Sequence, residues 1–238
     1  SPLAGLKGRS YEYITQATTD WTSLIADIQD GNLLFTIHPL QFPGTLLPLN
    51  FNLTWNAFNA DVDIGLGKGW TSNLHSTITE DQDQNLLLVT GTGAKLLFLY
   101  DANTQSYINP PSFTGKIEKL PNGSYRITSL DGSSQTFSSN GKLSSFSPPC
   151  GDATLTVTYD GNGRPTSLSD TLSSRAITLA WDQNGYLSEV EDMLENTWTF
   201  AYDQVQHLTT LTQPGETTPP SASFSYNSTS HLLETHTD

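Results

Sequence analysis

Few side chains in this sequence are placed to do chemistry. Five histidines, His38, His75, His207, His231 and His236, stand singly in strand-like or turn contexts, and none has the four-residue spacing that sets two imidazoles on one helix face. Glu189 and Glu191 are alternate residues of a strand-like run, so they would share a face, as the paired carboxylates of glycoside hydrolysis must. The competing reading makes them, with Asp192, a solvated acidic strand face. Cys150 is the single cysteine and follows Pro148-Pro149; no neighbour in sequence supplies the base that a thiolate nucleophile needs, and no disulfide can form within the chain. The expectation is therefore no catalytic residue and no enzyme, with a glycoside hydrolase as the alternative.

Binding groups are more numerous. Asp81, Asp83 and Asn85 alternate oxygen side chains along Asp81-Gln82-Asp83-Gln84-Asn85, as at the start of a calcium loop, but the central glycine and terminal bidentate glutamate of an EF-hand are missing. A polar hairpin turn competes with calcium there, and no other cofactor or metal is expected. Trp55, Trp70 and Trp181 read as core. Trp21 and Trp198 are the candidates for exposed rings on which a sugar could stack. The sequons Asn52-Leu53-Thr54, Asn122-Gly123-Ser124 and Asn227-Ser228-Thr229 make Asn52, Asn122 and Asn227 candidate glycan acceptors.

The 238 residues carry 24 Asp and Glu against 10 Lys and Arg, a formal net charge of −14. That charge repels nucleic-acid phosphates and anionic membrane surfaces. No apolar run approaches the roughly 20 residues needed to span a bilayer, and a start at Ser1-Pro2 suggests a mature or excised segment. Only 14% of residues are charged while Ser, Thr, Asn and Gln crowd every segment, so the expected location is extracellular or at the cell surface.

What must position these groups is β-structure. Apolar and polar residues alternate in Phe51-Asn52-Leu53-Thr54-Trp55 and in Thr154 to Tyr159, the pattern of half-buried strands. Asp-Gly and Asn-Gly pairs, at 30–31, 122–123, 131–132, 140–141, 160–161 and 184–185, punctuate the runs with tight-turn residues. Thr19 to Asp27 reads equally as a short helix or a strand. The fold class is all-β, with antiparallel hairpins stacked into a continuous twisted sheet.

The second half repeats. Tyr159-Asp160-Gly161-Asn162-Gly163-Arg164 aligns with Trp181-Asp182-Gln183-Asn184-Gly185-Tyr186, with Tyr202-Asp203 through Leu208, and with the worn copy Tyr226-Asn227, in steps of 22, 21 and 24 residues. Phe137 with Asn140-Gly141 lies 22 residues earlier, as a degenerate first copy. In each unit the aromatic packs inward, the Asp or Asn caps the turn, and the next strand returns Leu or Val to the same core.

These units resemble the YD or RHS repeat family of bacterial surface and toxin-shell proteins and animal teneurins. Pro43 to Asn56, followed by Gly65-Leu66-Gly67-Lys68-Gly69-Trp70, is similar to the module that precedes such repeats. The resemblance implies three parts: an N-terminal arm over 1–30, a β-rich module over 31–147, and repeats over 148–238. Long members of the family coil into hollow shells, which four or five units cannot close.

The resulting expectation is an extracellular structural β-repeat protein that assembles with its own copies into an oligomer, filament or surface layer. Tyr11, Tyr13 and Ile14 would add as a strand to a neighbour's open edge. A carbohydrate-binding adhesion module with glycan partners, or a shell fragment of an RHS toxin, are the alternatives.

Overall fold

A computed structural model describes residues 13–18, 22–27, 32–42, 48–150, 152–215 and 221–237. All its sheets are antiparallel meanders in which each strand pairs with its neighbours in sequence. The first sheet contains β1 (Tyr13–Thr18), β2 (Thr22–Asp27), β3 (Leu33–Phe42), β4 (Leu49–Asn56) and β5 (Trp70–Ser72). The second is β6 (Thr77–Glu80), β7 (Leu86–Val89), β8 (Lys95–Asp101) and β9 (Ser106–Ile108).

Twelve strands form the third sheet. They are β10 (Lys116–Lys119), β11 (Tyr125–Thr128), β12 (Ser134–Phe137), β13 (Leu143–Ser147), β14 (Leu155–Tyr159), β15 (Pro165–Asp170), β16 (Ala176–Trp181), β17 (Leu187–Glu191), β18 (Thr197–Tyr202), β19 (Leu208–Thr212), β20 (Ser221–Tyr226) and β21 (Leu233–Thr237). Among the described residues the helical content is one 3-10 turn, Ala57–Asn59, and no helix is long and apolar enough to cross a membrane.

The period-2 pattern fixes which face is buried. Leu155 and Val157 of β14, Ile177 and Leu179 of β16, Trp198 and Phe200 of β18, and Ala222 and Phe224 of β20 all turn inward, while the residues between them face solvent or the sheet edge. The first sheet seats itself against that inner face. Phe51, Leu53 and Trp55 of β4 are buried with the repeat residues in one cluster, and the Trp70 and Phe224 rings meet edge-on at 5.2 Å.

Each repeat hairpin carries the same irregularity. The register shifts by one residue just before Phe137, Tyr159, Trp181, Tyr202 and Tyr226, so every repeat aromatic sits at a bulge. Bulges increase local twist, and here one recurs in every repeat hairpin. In the turn that follows, one carboxylate oxygen of Asp160 accepts the amides of Asn162 and Arg164, and Asp182 and Asp203 do the same for theirs. That bonding places the left-handed residue three positions after the aspartate.

Several expectations are revised. The left-handed glycine of the second repeat is Gly163, at φ +79°, not Gly161, because the Asp160 cap sets the turn register. The ambiguous Thr19 to Asp27 stretch contains the strand β2. The division at residue 148 falls inside one sheet, because β13 and β14 pair through Ser145 with Thr156 and Phe146 with Leu155. The sheet begins at Lys116, in strands that share the meander but lack the Tyr-Asp signature. The segment expected to add to a neighbour forms the outer strand β1, which pairs on one side with β2, Tyr13 opposite Asp27 and Ile14 opposite Ala26; Tyr11 lies outside the described residues.

Candidate functional site

The functional geometry concentrates on a seam where the segment from Asp63 to Ile78 crosses the repeat turns. The Leu187 amide donates to the Gly65 carbonyl at 2.9 Å, the Lys68 amide to the Gln206 carbonyl at 2.9 Å, and the Ile78 amide to the Gly141 carbonyl at 2.8 Å. Tyr186 donates its hydroxyl proton to Asp63 at 2.7 Å, and the Trp70 indole N–H donates to the Tyr226 hydroxyl at 2.7 Å. Such contact between two backbones excludes side chains. A Cβ on Gly65 would lie 2.4 Å from the Gly185 carbonyl oxygen, and one on Gly141 would lie 1.9 Å from that of Ile78.

The repeat aromatics tie one unit to the next. The Tyr159, Tyr202 and Tyr226 hydroxyls donate to the carbonyls of Leu143, Leu187 and Leu208, and the Trp181 indole donates to that of Pro165. Each acceptor begins the return strand of the preceding unit. Stacked on these rings are the residues that follow the left-handed position one unit earlier: Lys142 over Tyr159, Arg164 over Trp181, Tyr186 against Tyr202 and His207 against Tyr226.

Burial pushes the Tyr159 phenol up to about 12 and raises Tyr202 and Tyr226 as well. Tyr186 is pushed up to about 12 by burial and by its bond to Asp63. These phenols stay neutral donors, suited to holding backbones together rather than to attacking a substrate.

Two histidines that look isolated in sequence meet here. His207 Nδ1 lies 2.9 Å from Asp203 and its Nε2 lies 2.9 Å from His231 Nδ1. A carboxylate can only accept, so His207 carries its proton on Nδ1 and its Nε2 accepts from His231. Burial pushes the Asp203 carboxyl up, yet bonds from the His207 amide and ring outweigh that and hold it below its ordinary value. The signal was present in the sequence: His207 and His231 each stand five residues after a repeat aromatic, Tyr202 and Tyr226.

The sequence candidates scatter. Asp81 spends its oxygens on the Asp83 and Asn85 amides and the Asn85 side chain, while Asn85 accepts the Tyr100 amide, so the three residues close a β6–β7 turn instead of converging outward. Among the described residues no group of three His, Cys, Asp or Glu could hold a metal ion. Glu189 and Glu191 share an exposed outer face opposite Thr199 and Thr197, whereas Asp192 is buried and caps the next turn. Cys150 is exposed.

Trp198 is only 8% exposed within the core, because its strand alternation turns it inward, which corrects the expectation of an exposed ring. Trp21 lies outside the described residues. Asn122 is exposed at the β10–β11 turn and Asn227 is half-buried at the β20–β21 turn. Asn52 is held in mid-strand by His38.

A family model described as a domain of unknown function (DUF6531) matches residues 27–98, the stretch that reaches from the end of β2 into β8. No curated protein matches the chain. The matched stretch contains the whole seam segment from Asp63 to Ile78.

Proposed function

We propose that this chain is an extracellular, structural β-repeat protein of the RHS or YD type that assembles head to tail with copies of itself. The repeat signature, the low share of charged residues and the polar Ser, Thr and Asn surface support the location and the type. The observation that favours assembly is that, among the described residues, no further strand pairs beyond β21 at one end of the large sheet or beyond β1 at one end of the first sheet.

An edge strand presents a row of unpaired backbone donors and acceptors, and joining two different edges makes a heterologous contact that propagates. Of the β21 side chains, Glu234, Thr235 and Thr237 are exposed, and the two threonines are uncharged. Sedimentation velocity across a concentration series, with electron microscopy, is the test. The expected result is concentration-dependent association that the double substitution Thr235→Lys and Thr237→Lys suppresses while leaving the melting transition in place. A wild-type protein that remains monomeric to its solubility limit would overturn the assembly reading.

A further inference from the structure

The first sheet has a second face, and it is polar although it is covered. On β4, Phe51, Leu53 and Trp55 enter the core, so Asn52 and Thr54 point the other way, beside Thr36 and His38 of β3. That side lies beneath the β7–β8 hairpin and the start of the large sheet, and Thr54 is 3% exposed. Between the layers is a cavity of about 550 Å³, whose opposite wall includes Leu88, Leu96, Phe113 and Phe146. The cavity opens to solvent on one side, and Thr36, His38, Asn52, Phe113 and Phe146 are half-buried in its wall, so a solute can enter it. The volume is that of a small-molecule site.

The wall chemistry selects the ligand. None of the lining residues is Asp, Glu, Lys or Arg, in a chain with a net charge of −14, so a charged ligand would find no counter-charge. His38 Nδ1 lies 2.9 Å from Asn52 Oδ1. An amide oxygen only accepts, so this bond fixes the imidazole proton on Nδ1 and leaves Nε2 as an acceptor and the Asn52 Nδ2 protons as donors. The Thr36 and Thr54 hydroxyls share one bond at 3.0 Å, which uses only one of their two protons. Acceptor, donors and hydroxyl thus adjoin two phenylalanine rings across the cavity.

A pyranose matches that asymmetry. It is neutral, its hydroxyls both donate and accept, and its C–H face packs on an aromatic face. We propose that this cavity binds a neutral saccharide unit, with His38 and Asn52 as the polar contacts and Phe113 and Phe146 as the apolar wall. The site is distinct from the two tryptophans singled out in the sequence, and it does not depend on self-assembly.

The test uses the full chain with saturation-transfer NMR and calorimetry against glucose, galactose, mannose, N-acetylglucosamine and glucuronate at millimolar concentration. At least one neutral sugar should saturate, with glucuronate markedly weaker. Asn52→Leu, which keeps the volume but removes the amide, should weaken binding about tenfold or more. Leu96→Trp, which fills the cavity from a half-buried position without touching the polar wall, should abolish binding and serves if the first variant fails to fold. Binding should also shift the His38 Nε2 resonance. No saturation by any neutral sugar, equal binding of glucuronate, or binding unchanged in the folded Leu96→Trp variant would each overturn the proposal.

Discussion

The Trp70 indole nitrogen lies 2.7 Å from the Tyr226 hydroxyl, joining residues 156 positions apart in sequence. Tyr226 passes its own proton to the Leu208 carbonyl, so a single hydroxyl links the seam segment to two repeat units. Tyr226→Phe would leave the buried Trp70 N–H and the Leu208 carbonyl without this partner. The expected cost is about 1–3 kcal/mol, more than the roughly 1 kcal/mol for Tyr159→Phe, whose hydroxyl makes one bond. Urea unfolding followed by tryptophan fluorescence measures both, and equal costs would mean that the seam bond adds nothing.

Stability should fall as the solution is acidified through the histidine range. Burial and the nearby Lys142 charge push His75 down to about 4 from 6.5, and its Nδ1 is 2.7 Å from the Ser72 hydroxyl while its ring meets Trp181. Above pH 6.5 neither the folded nor the unfolded state protonates this ring, so it is neutral to stability there. Between pH 6.5 and 4 the unfolded chain takes a proton that the folded chain refuses, and stability is lost by about 2 to 3 kcal/mol, levelling off below pH 4. Denaturation midpoints from pH 7 to 4 should show that slope in the wild type and a shallower one in His75→Asn.

The worn repeats keep a geometry that their residues do not favour. Gln206 sits at φ +74° in the slot where Gly185 sits at +90°, three residues after its aspartate, and His231 sits at +56° in a last turn that is one residue longer. Replacing Gln206 by Gly should stabilise the protein by about 1 kcal/mol by relieving a side chain from the left-handed region. Gly185→Ala should cost a similar amount. Thermal unfolding of both variants reads the sign; a Gln206→Gly loss would show that the Gln206 side chain contributes more than the strain.

Those same residues show what was legible in the sequence. The alternation of Leu155, Val157, Ile177 and Leu179 made the strands and their buried face readable, because period-2 patterning is a local property. The repeat aromatics were readable from their spacing. The pairing of Lys142 with Tyr159, or His207 with Tyr226, was not, because it joins one unit to the next and the stacking residue varies among Lys, Arg, Tyr and His. The polar cavity was hidden for a different reason. Asn52, Thr54 and His38 read as solvent-facing residues until the β7–β8 hairpin is known to cover them, and which layer lies on a sheet is a long-range fact that the strand itself does not encode.

The same covering separates the three sequons. Asn122 is exposed at a turn where its side-chain oxygen already accepts from Ser124, so its nitrogen is free to carry a sugar without disturbing the turn. Asn52 lies in a central strand, with its amide N–H bonded to Asn73, its side-chain oxygen bonded to His38, and the cavity in front of it. A glycan on Asn52 would have to thread through that cavity and would cost the side chain its place beside His38. Folded protein secreted by a glycosylating host should therefore carry sugar at Asn122 and none at Asn52, with Asn227 occupied only where its bond to Glu234 yields. Peptide mapping by mass spectrometry after isotopic deglycosylation reads all three positions. Glycan at Asn52 in folded, monodisperse material would mean that the hairpin does not cover this face in solution, and the saccharide site would fall with it.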